Sequence, residues 1–394
     1  MLDGCLTDRG ASAIERARKV APLIASAAPQ IESVRQVTAP VMAALHEAQL
    51  FRMLIPQSMG GLELDLVSFV KAIELIAMAD ASTAWCVGQG SGCSFTAAYL
   101  EPDVAAEVFG PPDAVLAWGP SNRNARAVAQ KDGFLVTGQW MFASGNRNAK
   151  WLAGHCTVFE ADGSPRLGPN GRLVERSFLF RRESAKIEDV WNVMGLRGTG
   201  SDNYSVHDLF VPSAYCFTRD HVPDRREGGP LYKFSVINLY GFAFGAVALG
   251  VAQQMLNDFI NLAKTKSPNS GGPVLRENGA VQQQTGINEA KLQAARAYLH
   301  HTLEDMWLHA EKGLEFSAQQ KISLRMMTTF VIQAGREVAD SVYRAAGATA
   351  IFTDQAFERR FRDINAVTQQ GQGHLSNYDV AGQMLLGIDV APKR

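Results

Sequence analysis

Helical and strand-like segments occur in three consecutive blocks along this chain. Residues 11–99 have helical spacing of apolar positions, and residues 114–212 form short alternating segments broken by Gly, Asn and Pro. The helical pattern returns near residue 231. Strands do not alternate with helices, which argues against a doubly wound parallel sheet or a TIM barrel. The order predicts an α+β fold with a helical domain over 1–112, a β domain over 113–226 and a second helical domain over 227–394.

Charge and composition exclude several classes of protein. The chain has 394 residues, and 38 Lys plus Arg balance 39 Asp plus Glu, so it lacks the positive excess of a general nucleic-acid binder. Five cysteines without a C-x-x-C pair indicate a reduced, cytoplasmic setting. The N-terminus lacks the pattern of a signal peptide. The apolar stretch at residues 236–252 predicts a buried core helix rather than a membrane span.

Two segments of the β block carry residues suited to ligand binding. The sequence QWMFASGN at residues 139–146 ends a strand in Ser144 and Gly145. Such an end can present a hydroxyl and backbone N–H groups to a planar heterocycle, with Trp140 as an apolar wall. A plain β-turn formed by the same residues is the alternative. The sequence WNVMGLRGTGSD at residues 191–202 is a glycine-rich loop suited to an anion or a polar ligand edge. A structural loop with Arg197 in a surface ion pair is equally compatible.

Near the C-terminus, the sequence ERRFRD at residues 358–363 has a helical charge pattern. Arg359 and Asp363 are four residues apart and can pair on one helix face, although a solvated charged face is the simpler interpretation. Recognisable dinucleotide, P-loop, zinc-protease and nucleophile-elbow motifs are absent from the sequence. None of the eight histidines has a convincing metal-ligand spacing, so no metal site is predicted.

Three segments, taken in order, resemble the acyl-CoA dehydrogenase superfamily. They are LFRMLIPQSMGGLELD at 50–65, MGLRGTGSDNYSVHDLFVP at 194–212 and AAGATAIFTDQAFERRFRD at 345–363. The resemblance implies an N-terminal helical domain, a central β-barrel domain and a C-terminal four-helix bundle. It also implies a flavin in the cleft between them, usually in a homotetramer.

Within that superfamily, the chain is most similar to the two-component flavin-dependent monooxygenases. Dehydrogenases of the family commonly use a glutamate eight residues after the aspartate of the Arg-Asp motif, and Gly371 occupies that position here. The segments GQWMFASGNRNAKW at 138–151 and STAW at 82–85 resemble the monooxygenases instead. The resemblance implies that a separate reductase supplies reduced FMN or FAD, and that oxygen then attacks a small aromatic or apolar substrate.

The resemblance also implies a set of polar and aromatic residues that bind the flavin. These residues are Trp118, Trp140, Ser144, Gly145, Arg197, Thr199, Ser201 and Lys266. In this interpretation the Ser144 hydroxyl supports flavin N5, the two tryptophans wall the ring, and Lys266 contacts the cofactor phosphates.

The catalytic acid/base is the least determined role. Relatives often carry a histidine seven residues after the Arg-Asp aspartate, and Gln370 stands there in this chain. Gln cannot take up a proton near neutral pH. His374 lies one helical turn further on and is the candidate if the helix continues, although Gly371 and Gly373 oppose continuation. Two other functions stay open, namely a dehydrogenase or oxidase with a relocated base, and a flavin-binding protein that has lost the chemistry.

We predict that the protein is a homo-oligomer, a tetramer formed through the C-terminal helices. The long helical patterns between residues 288 and 346 present more apolar surface than one chain of this size readily covers. Light scattering should give a mass near four times the 42.8 kDa of one chain. A single-chain mass at working concentration would contradict this prediction.

Overall fold

Five helices form the first part of the structure, a computed structural model that describes residues 7–121, 124–267 and 271–388. They are α1 Asp8–Val34, α2 Ala39–Glu47, α3 Leu66–Ala79, α4 Ala81–Ser94 and α5 Pro102–Phe109. Carboxylates begin the two central helices, because the Asp65 side chain accepts from Ser68 N–H and the Asp80 side chain accepts from Thr83 N–H. Every residue of α4 is buried, as its nearly uncharged composition predicts.

Eight strands follow and form one mixed sheet. They are β1 Leu116–Ala117, β2 Arg126–Ala129, β3 Gly133–Trp140, β4 Trp151–Phe159, β5 Glu175–Arg181, β6 Lys186–Glu188, β7 Asn203–Pro212 and β8 Cys216–Phe217. The spatial order is β6-β7-β3-β2-β4-β5-β8, with β1 beside β4, and the pairs β1–β4 and β2–β4 are parallel. The α+β class is therefore confirmed. The predicted closed barrel is not, because the described strands leave β6 and β8 as free edges.

Five further helices complete the chain: α6 Val236–Ala263, α7 Gly279–Glu311, α8 Ala318–Ala346, α9 Ala356–Val367 and α10 Asn377–Leu385. Capping boxes begin α6 at Ser235 and α8 at Ser317. The predicted four-helix bundle is not a separate unit, because α6 packs against α3 and α4 as well as against α7, α8 and α9. Among the described residues, α6 alone is long and apolar enough to cross a membrane, and 83% of its most apolar window is buried inside the protein.

Glycines allow α6 to lie unusually close to its neighbours. A Cβ at Gly250 would lie 2.4 Å from the backbone oxygen of Glu74 in α3, and a Cβ at Gly335 of α8 would lie 2.8 Å from the backbone oxygen of Ala248. Neither oxygen belongs to a side chain that could rotate away. Only glycine therefore fits at these two helix contacts.

We expect Gly250→Ala to destabilise the fold by about 1–3 kcal/mol, because the added methyl overlaps the α3 backbone. Gly286→Ala in α7 is the matched control, since a Cβ there meets nothing within 4 Å. The control should be neutral or stabilising by up to about 1 kcal/mol, the helix propensity difference between the two residues. Thermal denaturation midpoints of both variants test the prediction, and equal midpoints would contradict it.

Candidate functional site

Three chain segments meet where β3 ends, and they define the candidate site. These are residues 118–121, 141–145 and 199–202. The backbone N–H of Ala143 donates to the carbonyl of Asp202 at 3.2 Å, and a backbone hydrogen bond of 3.0 Å joins the first two segments. The helix α4 packs against β1 and against residues 197–199, which lead into the third segment. The structure thus brings together two of the sequence segments that predict ligand binding.

A chain of buried hydrogen bonds links these segments to α4. The indole Nε1–H of Trp85 donates to the Ser144 hydroxyl at 3.0 Å, which lies 2.8 Å from the Ser201 hydroxyl. The Ser201 hydroxyl lies 2.7 Å from that of Thr199, and the Thr199 hydroxyl donates to the carbonyl of Leu196 at 2.8 Å. We call these five groups the hydroxyl relay.

The direction of the hydroxyl relay follows from counting hydrogens. Each hydroxyl has one hydrogen to donate. Thr199 uses its hydrogen on the Leu196 carbonyl, so Ser201 must be the donor to Thr199, and Ser144 must in turn be the donor to Ser201. The Ser144 oxygen then has no hydrogen left and keeps only a lone pair. Towards a further ligand, Ser144 acts as a hydrogen-bond acceptor.

The turn beside Ser144 supplies an apolar face, and the loop 191–202, whose Thr199 carbonyl accepts from Gly145 N–H, supplies a polar donor. Phe142 has a φ of +57°, which is strained for a non-glycine residue, and its side chain is 57% exposed. The Nε of Arg197 is buried and has no hydrogen-bond partner among the residues that the structure describes. A buried unpaired donor is costly unless a ligand meets it. The set of an acceptor, a donor and an exposed aromatic ring suits a planar heterocycle with polar edges, such as a flavin.

The loop that ends the hydroxyl relay is anchored by α9. The carboxylate Oδ1 of Asp363 accepts from Leu196 N–H at 2.7 Å, and a Cβ at Gly195 would lie 2.1 Å from the Arg362 carbonyl oxygen. Burial, together with the nearby carboxyl of Asp80, raises the pKa of Asp363 to about 7.

The predicted solvated face of the ERRFRD segment is wrong, because two of its charged residues are buried. Asp363 is 3% exposed, and Arg360 is 9% exposed and pairs with Asp258 at 2.5 Å. The anticipated pairing of Arg359 with Asp363 is replaced by the Asp363 bond to the loop backbone. The segment therefore joins domains instead of facing water.

Both tryptophans predicted to wall the flavin ring are buried in packing contacts, which corrects that assignment. Trp140 has no exposed surface, and it fits only because Gly138 and Gly154 lack a Cβ beside its ring. Trp118 is 3% exposed and meets the ring of His155 edge-on at 5.1 Å. In this structure neither indole presents a free face to a ligand.

Lys266 and His374 also lie away from the three meeting segments. The ammonium of Lys266 donates to the Ala346 carbonyl at 2.5 Å and to the Thr349 hydroxyl at 2.7 Å, so it closes the end of α8. The helix α9 ends at Val367, so the condition under which His374 would lie one helical turn beyond Gln370 is not met. His374 is exposed, and its Nδ1 accepts from the backbone N–H of Ser376 at 3.2 Å.

Asp220 lines two cavities of the structure. The first has a volume of about 620 Å³ between α6, α8 and residues 371–377. The second has a volume of about 790 Å³ and lies against β4 and β5. The predicted flavin-binding residues line neither cavity, but Pro120 and Ser121 of the meeting segments line the second.

Sequence reasoning missed three residues that the structure makes prominent. Trp85 begins the hydroxyl relay, and its place in the STAW segment was an available signal. His155 and Arg219 both line the second cavity. Neither His155 nor Arg219 belongs to a local sequence motif. Strand pairing and the turn after β8 bring the two residues to the same cavity.

The architecture and the site together define an α+β protein of the acyl-CoA dehydrogenase type. The family model for the N-terminal domain of acyl-CoA dehydrogenases matches residues 15–100, and that for the C-terminal domain matches residues 242–372. Together the two ranges cover more than half of the chain. The chain belongs to the acyl-CoA dehydrogenase superfamily.

Relatives with assigned activities match nearly the whole chain. An indole-3-acetate monooxygenase of Pseudomonas putida is 28% identical over 92% of this chain and 90% of its own. The oxygenase component of an FADH2-dependent resorcinol hydroxylase of Rhizobium sp. is 28% identical over 94% of this chain and 92% of its own. These similar proteins are named as a monooxygenase and as the oxygenase component of an FADH2-dependent hydroxylase, not as acyl-CoA dehydrogenases, in line with the resemblance of the 138–151 segment.

A solved structure supports the fold at a lower level of identity. XiaF from Streptomyces sp., in complex with FADH2 and glycerol, superposes with a TM-score of 0.89. The superposition covers 98% of each chain at 22% sequence identity. At this identity the likeness establishes the shared fold.

The raised pKa of Asp363 gives a pH prediction. In the unfolded chain this carboxyl has its ordinary pKa of 3.8, and in the native state about 7. Between these values the native state binds more protons, so this group lowers stability as pH rises from about 4 to 7, by up to about 4 kcal/mol. Asp363→Asn keeps the acceptor for Leu196 N–H and carries no charge. We expect its stability relative to the parent to rise across this window.

Thermal denaturation at pH 4.5, 6 and 8 measures this effect. Asp305→Asn, at an exposed position of α7, is the matched control and should show no such trend. If the curves of the parent and of Asp363→Asn run parallel from pH 4.5 to 8, the Asp363 carboxyl does not titrate as described.

Proposed function

We propose that this protein is the oxygenase component of a flavin-dependent monooxygenase that hydroxylates a small aromatic substrate. The names of its relatives support this class, because indole-3-acetate and resorcinol are both small aromatic molecules. The observation that carries the proposal is the direction of the hydroxyl relay. Reduced flavin has a hydrogen on N5 and oxidised flavin does not, so an acceptor-only Ser144 suits the reduced form.

Three groups of this chain would hold the reduced flavin. The Ser144 oxygen would accept a hydrogen bond, the Arg197 Nε–H would donate one, and the exposed Phe142 ring would contact the apolar part of the heterocycle. When bound, reduced flavin supplies the electrons that let O2 deliver one oxygen atom to the substrate. The buried relay keeps water away from this edge, which strengthens each hydrogen bond to the cofactor.

The first cavity argues against the alternative of an acyl-CoA dehydrogenase with a relocated base. Gly371 stands where the family glutamate is expected, and it lines this cavity. The two carboxylates that line it are already engaged. Glu315 pairs with Lys233, and Asp220 accepts from Val236 N–H at 3.0 Å. Abstraction of an α-proton needs a free base within reach of the substrate.

The proposed oxygenase component works with a reductase, as an oligomer and in the cytoplasm. A separate reductase supplies the reduced FMN or FAD, because the resorcinol hydroxylase relative is itself named an oxygenase component. The chain works as a homotetramer in the cytoplasm. In the tetramer the long helices α7 and α8 supply the contacts between copies, and these helices carry the exposed apolar residues Ile287, Leu308 and Phe330.

Rapid mixing of the protein with pre-reduced FMN or FAD, oxygen and a panel of small aromatic compounds tests the proposal. We expect a hydroxylated product and tighter binding of reduced than of oxidised flavin. A purified protein that holds oxidised flavin tightly and desaturates a thioester would support the dehydrogenase instead. Binding of neither flavin form would indicate that the chemistry has been lost.

Ser144→Ala should weaken the flavin-dependent step about ten- to a hundredfold while the fold persists. The preference for reduced over oxidised flavin should shrink with it, because the acceptor is lost. Ser26→Ala, at an exposed serine of α1, is the matched control. Titration of each variant with both flavin forms, followed by product yield, measures the effect. A variant that keeps the preference would leave Ser144 as a turn residue only.

His374→Ala provides a separate control on the acid/base role. Because His374 is exposed and lines neither cavity, we expect unchanged coupling of flavin oxidation to product. Increased hydrogen peroxide at the expense of product would restore the acid/base role implied by the sequence.

A further inference from the structure

The second cavity is not used by the flavin-binding groups described above. Its volume of about 790 Å³ is typical of a site for a small organic molecule. Pro120 and Ser121 line it, and they belong to the segment 118–121 that meets the Ser144 turn. A molecule in this cavity would therefore lie next to the candidate flavin edge, where a substrate is required.

Arg219 contributes an unpaired cation to this cavity. Its side chain is half-buried, and within the described ranges it makes no hydrogen bond or ion pair. The neighbouring carboxylate of Asp220 accepts from Val236 N–H, and the Arg219 charge acts on it from a distance by opposing the rise in its pKa that burial causes. Burial raises the pKa of the Cys93 thiol to about 12, and the Arg219 charge opposes that rise. The guanidinium therefore lies close to α4 at the junction of the domains. A partly buried guanidinium whose N–H groups have no hydrogen-bonded acceptor is unfavourable unless an anion meets it.

His155 contributes a second unpaired donor. Its Nδ1 lies 2.7 Å from the Ser177 hydroxyl, while its Nε2 is buried and has no partner in the part of the chain that the structure describes. Burial and the Arg219 charge hold the pKa of His155 well below 6.5, so the ring is neutral at pH 7. Within the described residues the Ser177 hydroxyl has no second acceptor, and we assign it as the donor to Nδ1, which places the ring hydrogen on Nε2.

The Arg219 guanidinium and the His155 Nε2–H would suit an anionic group of a ligand in the second cavity. Two carboxylates and two guanidinium groups line this cavity, namely Glu175, Asp220, Arg176 and Arg219. Glu175 is exposed at the start of β5, and Asp220 accepts from Val236 N–H. We propose that the second cavity binds the carboxylate of an aromatic acid, with Arg219 and the Nε2–H of His155 as its hydrogen-bond donors. The assignment of this acid as the substrate rests on the proposed monooxygenase function, whereas its binding does not.

Calorimetric titration of the flavin-free, full-length protein at pH 7 tests this proposal. The probes are phenylacetate, its uncharged analogue phenylacetamide, and phenol. We expect phenylacetate to bind about ten- to a hundredfold more tightly than phenylacetamide, because charge-assisted hydrogen bonds exceed neutral ones by that range. Equal affinity for acid and amide would overturn the proposal. Preference for phenol over phenylacetate would assign the two donors to a phenolic oxygen and overturn the carboxylate assignment.

Variants identify the residues responsible. Arg219→Gln should abolish the preference for the acid, and His155→Gln should reduce it. Arg172→Gln removes the same charge from an exposed position of the same domain and should leave the preference unchanged. If Arg219→Gln retains the preference, the anion is held elsewhere.

A measurement on the unmodified protein covers the case in which the Arg219 variant does not fold. Phenylglyoxal modifies accessible arginines, and peptide mass mapping reports the extent at Arg219. We expect phenylacetate to protect Arg219 severalfold and phenylacetamide to leave it reactive. Equal modification with both compounds would overturn the proposal. Acid binding without any oxygenation would contradict the proposed function and leave this binding site in place.

Discussion

The hydrogen bond from Leu196 N–H to the buried carboxylate of Asp363 is the contact on which the candidate site depends. It joins α9, in the C-terminal part, to the loop that carries Thr199 and Ser201. The same loop is held to α4 where Gly198 N–H donates to the Ser82 hydroxyl at 3.2 Å. The carbonyl of Leu196 is the last acceptor of the hydroxyl relay. A change in α9 therefore reaches Ser144 through a continuous set of hydrogen bonds, although α9 does not touch Ser144.

The sequence was sufficient to predict the order of helical and strand blocks and to select two of the segments that meet at the candidate site. Block order and the family segments are local properties of the sequence. They predicted the helix, strand, helix order, and they selected the Ser144 and Thr199 segments, which the fold brings together. Burial of Trp140 could not be inferred in the same way. Its ring is accommodated by Gly138 on its own strand and by Gly154 on β4. The order of the strands in the sheet, with β2 between β3 and β4, brings the second glycine beside the ring. The residue type suggested that Trp140 forms an aromatic wall of the flavin site, whereas in the fold its ring is packed in the core.

Arg219 and His155 show a second limit of sequence reasoning. They are 64 positions apart in number, and neither belongs to a pattern with a recognised spacing. His155 is placed by the pairing of β4 with β5, which sets it opposite Ser177, and Arg219 follows the short strand β8 that pairs with β5. Both line the same cavity, and within the described residues the buried Nε2 of His155 has no hydrogen-bond partner and Arg219 makes no hydrogen bond or ion pair. The absence of a partner is a property of the folded chain and leaves no trace in the sequence.

The direction of the hydroxyl relay is imposed by the groups at its two ends. The indole of Trp85 can only donate a hydrogen bond, and the carbonyl of Leu196 can only accept one. Three hydroxyls between such ends can all be satisfied in one orientation only, because reversing any one of them places two hydrogens or two lone pairs against each other. Ser144 is thus held as an acceptor by chemistry rather than by side-chain packing. A site built this way distinguishes a ligand edge with a hydrogen from one without, and that difference separates reduced from oxidised flavin at N5.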